Sequence, residues 1–222
     1  MSGKVVSFPL FFLTKLKCGG IIMSLYASWV HGTQVQLERR GAVQAKSKST
    51  VKAAFHRSNG DLVYLGGSGR AACLRIGWAA RFVVYDCGSK NYEKSGSFWC
   101  HYVIPTPVIE EGKRAEVDTV LINYESSNIN ALSIGAIHVW DGNKRIFTDD
   151  SPTISADDFN GGISGHSNNA GVTPDLNKLW RGNIQRRPIY FGLCVSLLIK
   201  AQRAKDDYLE IRSVGIDFQI QG

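Results

Sequence analysis

One stretch limits the fold more than any other: Ser97-Phe-Trp-Cys-His-Tyr-Val-Ile-Pro-Thr-Pro-Val-Ile109. Side chains alternate sides along a strand, so Phe98, Cys100, Tyr102 and Ile104 share one side and Trp99, His101 and Val103 the other. Both sides carry large apolar groups, which predicts a central strand covered on both faces. Pro105 and Pro107 have no amide hydrogen for a ladder, so pairing must stop or move to an edge there. Val108 and Ile109 are expected to dip back toward a core. A strand covered twice needs other strands around it.

The rest of the chain supplies them. Leu25 to Val30 and Thr33 to Leu37 flank a turn at His31-Gly32. Strand patterns follow at Leu62 to Leu65, Ala71 to Tyr85 and Ala115 to Glu125. In the last of these, Val117, Thr119 and Leu121 oppose Val120, Ile122 and Tyr124. From Ala131 to Asp141, the residues Leu132, Ile134, Ala136, His138 and Trp140 fall on one face, and Asp141-Gly142-Asn143 turns into Lys144 to Phe147. Pro188 to Ala201 alternates cleanly, with Phe191, Leu193, Val195, Leu197 and Ile199 in one phase. Tyr208 to Ile220 changes phase between Ile211 and Val214, which predicts a bulge near Arg212-Ser213. Thr173-Pro174 and Gly182 have the form of a helix start and stop, so a short helix is expected near 174–181. No helical period is sustained elsewhere. The pattern predicts an all-β protein: an antiparallel, jelly-roll-like β-sandwich of about nine or ten strands.

The 222 residues suffice for one large domain. Residues 1–22 read as an apolar N-terminal arm or extension, and 23–222 as a single sandwich domain with a basic insertion at about 39–70. The apolar run from Val5 to Leu13 is too short to span a bilayer, so no membrane span is expected. Met23 is the only other methionine and stands directly before a strand pattern, so it is a second possible start.

The net charge of +7 is unevenly placed: residues 1–94 carry +10 and residues 95–222 carry −3. Much of the excess is Arg39, Arg40, Lys46, Lys48, Lys52 and Arg57, in a run without an acidic residue. This is either a solvated basic loop or a site for a polyanion such as nucleic acid. Cys18, Cys73, Cys87, Cys100 and Cys194 are odd in number and form no C-x-x-C pair, which indicates neither a zinc ribbon nor a disulfide framework. Cys100 and Cys194 read as buried free thiols. A reducing, cytoplasmic location fits best, with secretion left open by the apolar start.

Several short stretches resemble a family of small, uncharacterised bacterial β-rich proteins. They are Ser28-Trp-Val-His-Gly32, Gly77-Trp78 followed by Phe82, Phe98-Trp-x-His-x-x-Ile-Pro-Thr-Pro-Val-Ile109, Ile137-His-Val-Trp-Asp-Gly142, Phe191-Gly-Leu-x-Val-Ser196 and Gly215-x-Asp-Phe218. The likeness runs from Met23 to Ile220 and omits 1–22 and roughly 41–70. It implies a compact β domain beginning near Met23 and supplies no catalytic residue.

Three Trp/His pairs stand two residues apart: Trp29/His31, Trp99/His101 and His138/Trp140. Each pair points to one side of its strand. They are structural histidines beside packing tryptophans, or a three-histidine zinc site, or a sugar platform in which tryptophans stack on rings while His and Asp141 bind hydroxyls. Asp149, Asp150, Asp157 and Asp158 offer oxygen ligands to calcium, but their spacing fits no EF-hand loop. Gly162-Ile163-Ser164 lacks the second glycine of a nucleophile elbow, and no P-loop or dinucleotide fingerprint is present. No cofactor is expected. These features point to a non-enzymatic protein that works by assembly, as a homo-oligomer formed through its N-terminal arm. The alternatives are a lectin-like carbohydrate-binding module and, third, polyanion binding through 39–57.

Overall fold

The computed structural model describes residues 12–18, 21–38, 60–64, 70–85, 96–110, 112–152, 180–201 and 207–220. In chain order the strands are β1 (Phe12–Cys18), β2 (Ile21–His31), β3 (Gln36–Leu37), β4 (Gly60–Tyr64), β5 (Arg70–Ile76), β6 (Ala79–Tyr85) and β7 (Gly96–Ile104). There follow β8 (Ile109–Glu110), β9 (Lys113–Ser126), β10 (Leu132–Asp141), β11 (Lys144–Asp149), β12 (Trp180–Pro188), β13 (Leu193–Ala201) and β14 (Tyr208–Ile220). All pairing is antiparallel, and two sheets pack face to face as a β-sandwich. Fourteen strands are described against the nine or ten expected; of these β3 and β8 are only two residues long and β1 lies in the arm.

The larger sheet is organised on β14. One side of β14 pairs along its length with β9, which continues to β12. The other side is shared end to end: residues 213–220 take β2 and residues 208–211 take β6. Gly32 sits in the gap between them. A Cβ there would lie 1.8 Å from the Ile211 carbonyl oxygen, so only glycine lets the chain leave β2 and cross to the second sheet. The second sheet has the order β11-β10-β13-β7-β3.

Between the sheets, Phe98, Tyr102, Ile137, Val139, Val195 and Leu197 meet Phe82, Ile122, Val214, Ile216 and Phe218. Phe82 and Phe98 touch across the interface at 5.3 Å between ring centroids, and Phe147 and Trp180 at 6.4 Å. Each fully buried side chain of this size contributes about 1.5–3 kcal/mol. The phase change expected in β14 is present as a register shift between Ile211 and Ser213.

Several local expectations are corrected. In β10 a bulge at Gly135 switches the faces: Leu132 and Ile134 share the core with Ile137 and Val139, and Ala136, His138 and Trp140 point outward. In β9 a shift at Asp118 likewise puts Val117 with Val120, Ile122 and Tyr124 inside. β7 is not covered twice. Phe98, Cys100, Tyr102 and Ile104 are buried, while Trp99 and His101 are half-buried and Val103 is 56% exposed. After the prolines Val108 packs on the core but Ile109 is exposed. Trp180 and Arg181 begin β12 rather than end a helix, and Gly182 lies within that strand; 174–179 fall outside the described residues. Cys194 lies half-buried on the outer face, whereas Cys73 and Cys100 are buried. Among the described residues no helix is long and apolar enough to cross a membrane.

Candidate functional site on the outer face of the five-stranded sheet

The pairing of β7, β13 and β10 sets three rows on the outer face. Trp99, Leu198 and Ala136 form the first, His101, Ser196 and His138 the second, and Val103, Cys194 and Trp140 the third. Two of the three Trp/His pairs therefore meet on one surface, on either side of β13. Opposed residues on neighbouring strands share a face, so Gln36 extends the middle row beyond His101 and Thr148 extends it beyond His138.

The middle row holds two separate hydrogen-bonded pairs, His101 with Ser196 and His138 with Asp150. His101 Nδ1 lies 2.8 Å from the Ser196 hydroxyl, and its Nε2 is 4.0 Å from a Glu38 carboxylate oxygen. Burial holds the His101 pKa below its ordinary value near 6.5, against an upward pull from Glu38. The imidazole is therefore neutral at neutral pH. His138 Nε2 donates to Asp150 at 2.8 Å. The Trp99 ring leans on the His138 ring at 4.7 Å, and Trp140 meets its far edge at 6.3 Å. The Arg145 guanidinium lies 5.8 Å from the Trp140 ring. Cys194 meets the Ser196 hydroxyl, and burial raises its thiol pKa, so the thiol is a poor nucleophile.

Ser196, His101 and Glu38 have the order of a nucleophile, a base and an orienting carboxylate. The surroundings do not suit acyl transfer. Ser196 is 3% exposed, and β13 is paired on both sides, so its amides are committed to the ladders and no amide pair faces the hydroxyl as an oxyanion site.

The third pair lies elsewhere. Trp29 covers Gly215 on the outer face of the nine-stranded sheet, where a Cβ would fall 2.4 Å from the indole. His31 Nδ1 caps the single 3₁₀ turn Gly32–Gln34 through Thr33. The three histidines are thus split between the two sheets. Among the described residues no group of three His, Cys, Asp or Glu side chains could hold a metal.

Asp141 also differs from its expected place. It stands in the inward phase, opposite to His138 and Trp140, and its carboxylate accepts the amides of Tyr190, Phe191 and Gly192 at 2.8, 2.8 and 3.0 Å. It clamps the β12–β13 loop. Asp149 accepts the Ser151 amide and Asp150 is engaged by His138. Asp157, Asp158, Arg39, Arg40, Lys46, Lys48, Lys52 and Arg57 lie outside the described residues. Ser196, Glu38 and Arg145 join the site without having been singled out in the sequence. The signal for Ser196 was there: it is the one polar residue between Cys194 and Leu198 in the second phase of β13.

No protein-family model, curated protein or solved structure matches the chain.

Proposed function

We propose that the protein is a non-enzymatic binding module whose ligand surface is the outer face of the five-stranded sheet, and that its ligand class is neutral carbohydrate. One observation carries this reading: Trp99, His101 and Trp140 come together, each half-buried, above the buried His138 and Ser196 on one face. Indole and imidazole rings supply apolar platforms for the C–H faces of a sugar. A neutral imidazole and nearby polar groups such as Gln36 and Thr148 supply donors and acceptors for its hydroxyls. Asp150 at the margin is engaged by His138, and no Asp, Glu, Lys or Arg stands in the three outer-face rows, which suits an uncharged ligand. The test is a broad glycan array probed with the folded chain, with and without calcium. Specific binding that disappears with Trp140→Ala in a still-folded protein supports the reading; a blank array from well-folded protein sinks it.

A second reading, homo-oligomeric assembly, is favoured by the sheet edges. β12 is guarded by exposed Arg181, Arg186 and Arg187, by a three-residue bulge and by Pro188. β1, the opposite edge, is seven residues long and pairs only with β2 among the described residues. The same β1–β2 pairing could form between two chains. Light scattering of chains starting at Met1 and at Met23 separates the cases: an oligomer that needs residues 1–22 supports assembly, and two identical monomers remove it.

A further inference from the structure

Five large apolar side chains are markedly exposed among the described residues, and four of them gather at one end of the sandwich: Val103 at 56%, Ile109 at 60%, Tyr190 at 56% and Phe191 at 74%. The pairing brings them together. Val103 lies one residue from the end of β7, where Ile104 opposes Leu193, just after Phe191. Ile109 pairs with Arg114, whose guanidinium lies 4.6 Å from the Tyr190 ring and donates to the Ile189 carbonyl. Phe191 rests its ring against Gly142. Scattered exposed apolar residues need no explanation, but a cluster confined to one end does.

The aromatic pair is held out by construction. The buried carboxylate of Asp141 accepts three successive amides, from Tyr190 to Gly192. The loop's backbone is thereby pinned inward while Tyr190 and Phe191 face water. Thr106 anchors the next residue by accepting the Leu193 amide. A loop fixed in this way loses little freedom when its tip is buried in another phase.

The surroundings indicate which phase. Lys113 and Arg114 start β9, Lys144 and Arg145 start β11, and Arg187 stands next to last in β12. Against these five cations the described residues at the same end carry Glu110, Glu116 and the buried Asp141. Amphipathic and apolar rings at a rigid tip, ringed by a cationic excess, match the interfacial layer of an anionic bilayer. We infer that this end of the sandwich docks peripherally on anionic phospholipid membranes, with Tyr190 and Phe191 entering the headgroup layer. Tyr190 and Phe191 lie outside the three outer-face rows, while Val103 and Arg145 border both surfaces, so the Tyr190/Phe191 variant separates membrane docking from carbohydrate binding.

The test sediments the full-length chain with phosphatidylcholine vesicles, with and without phosphatidylserine, and measures anisotropy with a single-stranded oligonucleotide. The expected result is salt-sensitive sedimentation that requires phosphatidylserine. Tyr190→Ser with Phe191→Ser lowers the partition coefficient at least about tenfold, from the apolar area withdrawn. Lys113→Glu with Lys144→Glu, on exposed positions, lowers it roughly fivefold or more per cation lost. Thermal melts verify that both variants are folded. Three results overturn the inference: no sedimentation of the folded wild type with anionic vesicles; sedimentation unchanged in both variants, which moves lipid binding to another surface; or oligonucleotide binding that needs Tyr190 and Phe191 without vesicle binding.

Discussion

The outer faces of the two sheets handle similar residues in opposite ways. On the nine-stranded sheet, Glu210 is 2% exposed and is surrounded. Arg81 donates to it through Nε at 2.7 Å and also through Nη2, Trp78 donates at 3.2 Å, and Arg212 stands 3.7 Å away. Arg212 in turn pairs with Glu125, which also accepts the Tyr208 hydroxyl at 3.1 Å. Tyr208 lies under the Arg81 guanidinium, and its pKa is raised by burial first and then by the Glu125 carboxylate. Here the polar groups consume one another, and Trp29 is occupied in covering Gly215. On the five-stranded sheet the corresponding row is His101, Ser196 and His138, with no Arg or Glu in it, and its flanking Trp99 and Trp140 stay half-buried. A desolvated charge must be satisfied internally, whereas a neutral imidazole or indole can exchange water for a ligand at small cost. The comparison separates a face whose polar groups are tied into the fold from one whose aromatic rings stay half-exposed.

The largest expected effect breaks the first face. Glu210→Ala leaves Arg81 and Arg212 without their buried partner and is expected to cost about 3–5 kcal/mol in urea unfolding. A loss below roughly 1 kcal/mol, the range of an exposed ion pair, contradicts the description of that network. Next come the tryptophans. Trp29→Ala exposes the ladder at Gly215 and is expected to cost about 2–3 kcal/mol, while Trp99→Ala and Trp140→Ala cost roughly half as much. Equal losses at all three positions erase the distinction between the faces.

A smaller effect sharpens the open face through pH. The folded pKa of His101 is depressed, so the stability gained by keeping it neutral is fully present above the unfolded value near 6.5. That stability is lost as pH falls through the folded value. Urea midpoints followed downward through this window should fall more steeply for the wild type than for His101→Gln. Parallel curves contradict the buried, neutral imidazole. The smallest effect concerns the core beneath. The Tyr102 hydroxyl is buried and has no hydrogen-bond partner among the described residues, and burial raises its pKa well above the ordinary value. Tyr102→Phe is expected to be neutral or to stabilise by up to about 1 kcal/mol.

The sandwich was legible because apolar residues alternate against polar ones through most strands. The bulge in β14 was legible for the same reason: Glu210 and Arg212 are polar in one phase, Asp217 and Gln219 in the other, so the slip shows as a change of phase. The bulge in β10 was not. Leu132, Ile134 and Ala136 are apolar, and so are Ile137 and Val139, so both phases look buried and only Gly135 hints at a break. The candidate site was half legible. Alternation correctly grouped Trp99 with His101 and His138 with Trp140. It carried no information on which strands become neighbours, and β7, β13 and β10 are brought together from distant parts of the chain. Asp141 misled because its motif, His-Val-Trp-Asp-Gly, runs through both phases; the carboxylate serves backbone amides some fifty residues away in sequence, a partner no local pattern reveals.

The central claim is that the five-stranded sheet, and not its partner, offers the binding face. The most direct measurement is calorimetric titration of the strongest array glycan into the wild type, Trp140→Ala and Trp29→Ala, each confirmed folded. Binding abolished by Trp140→Ala and retained by Trp29→Ala is the predicted result. Binding retained by Trp140→Ala and lost with Trp29→Ala would place the ligand on the opposite sheet and contradict the account.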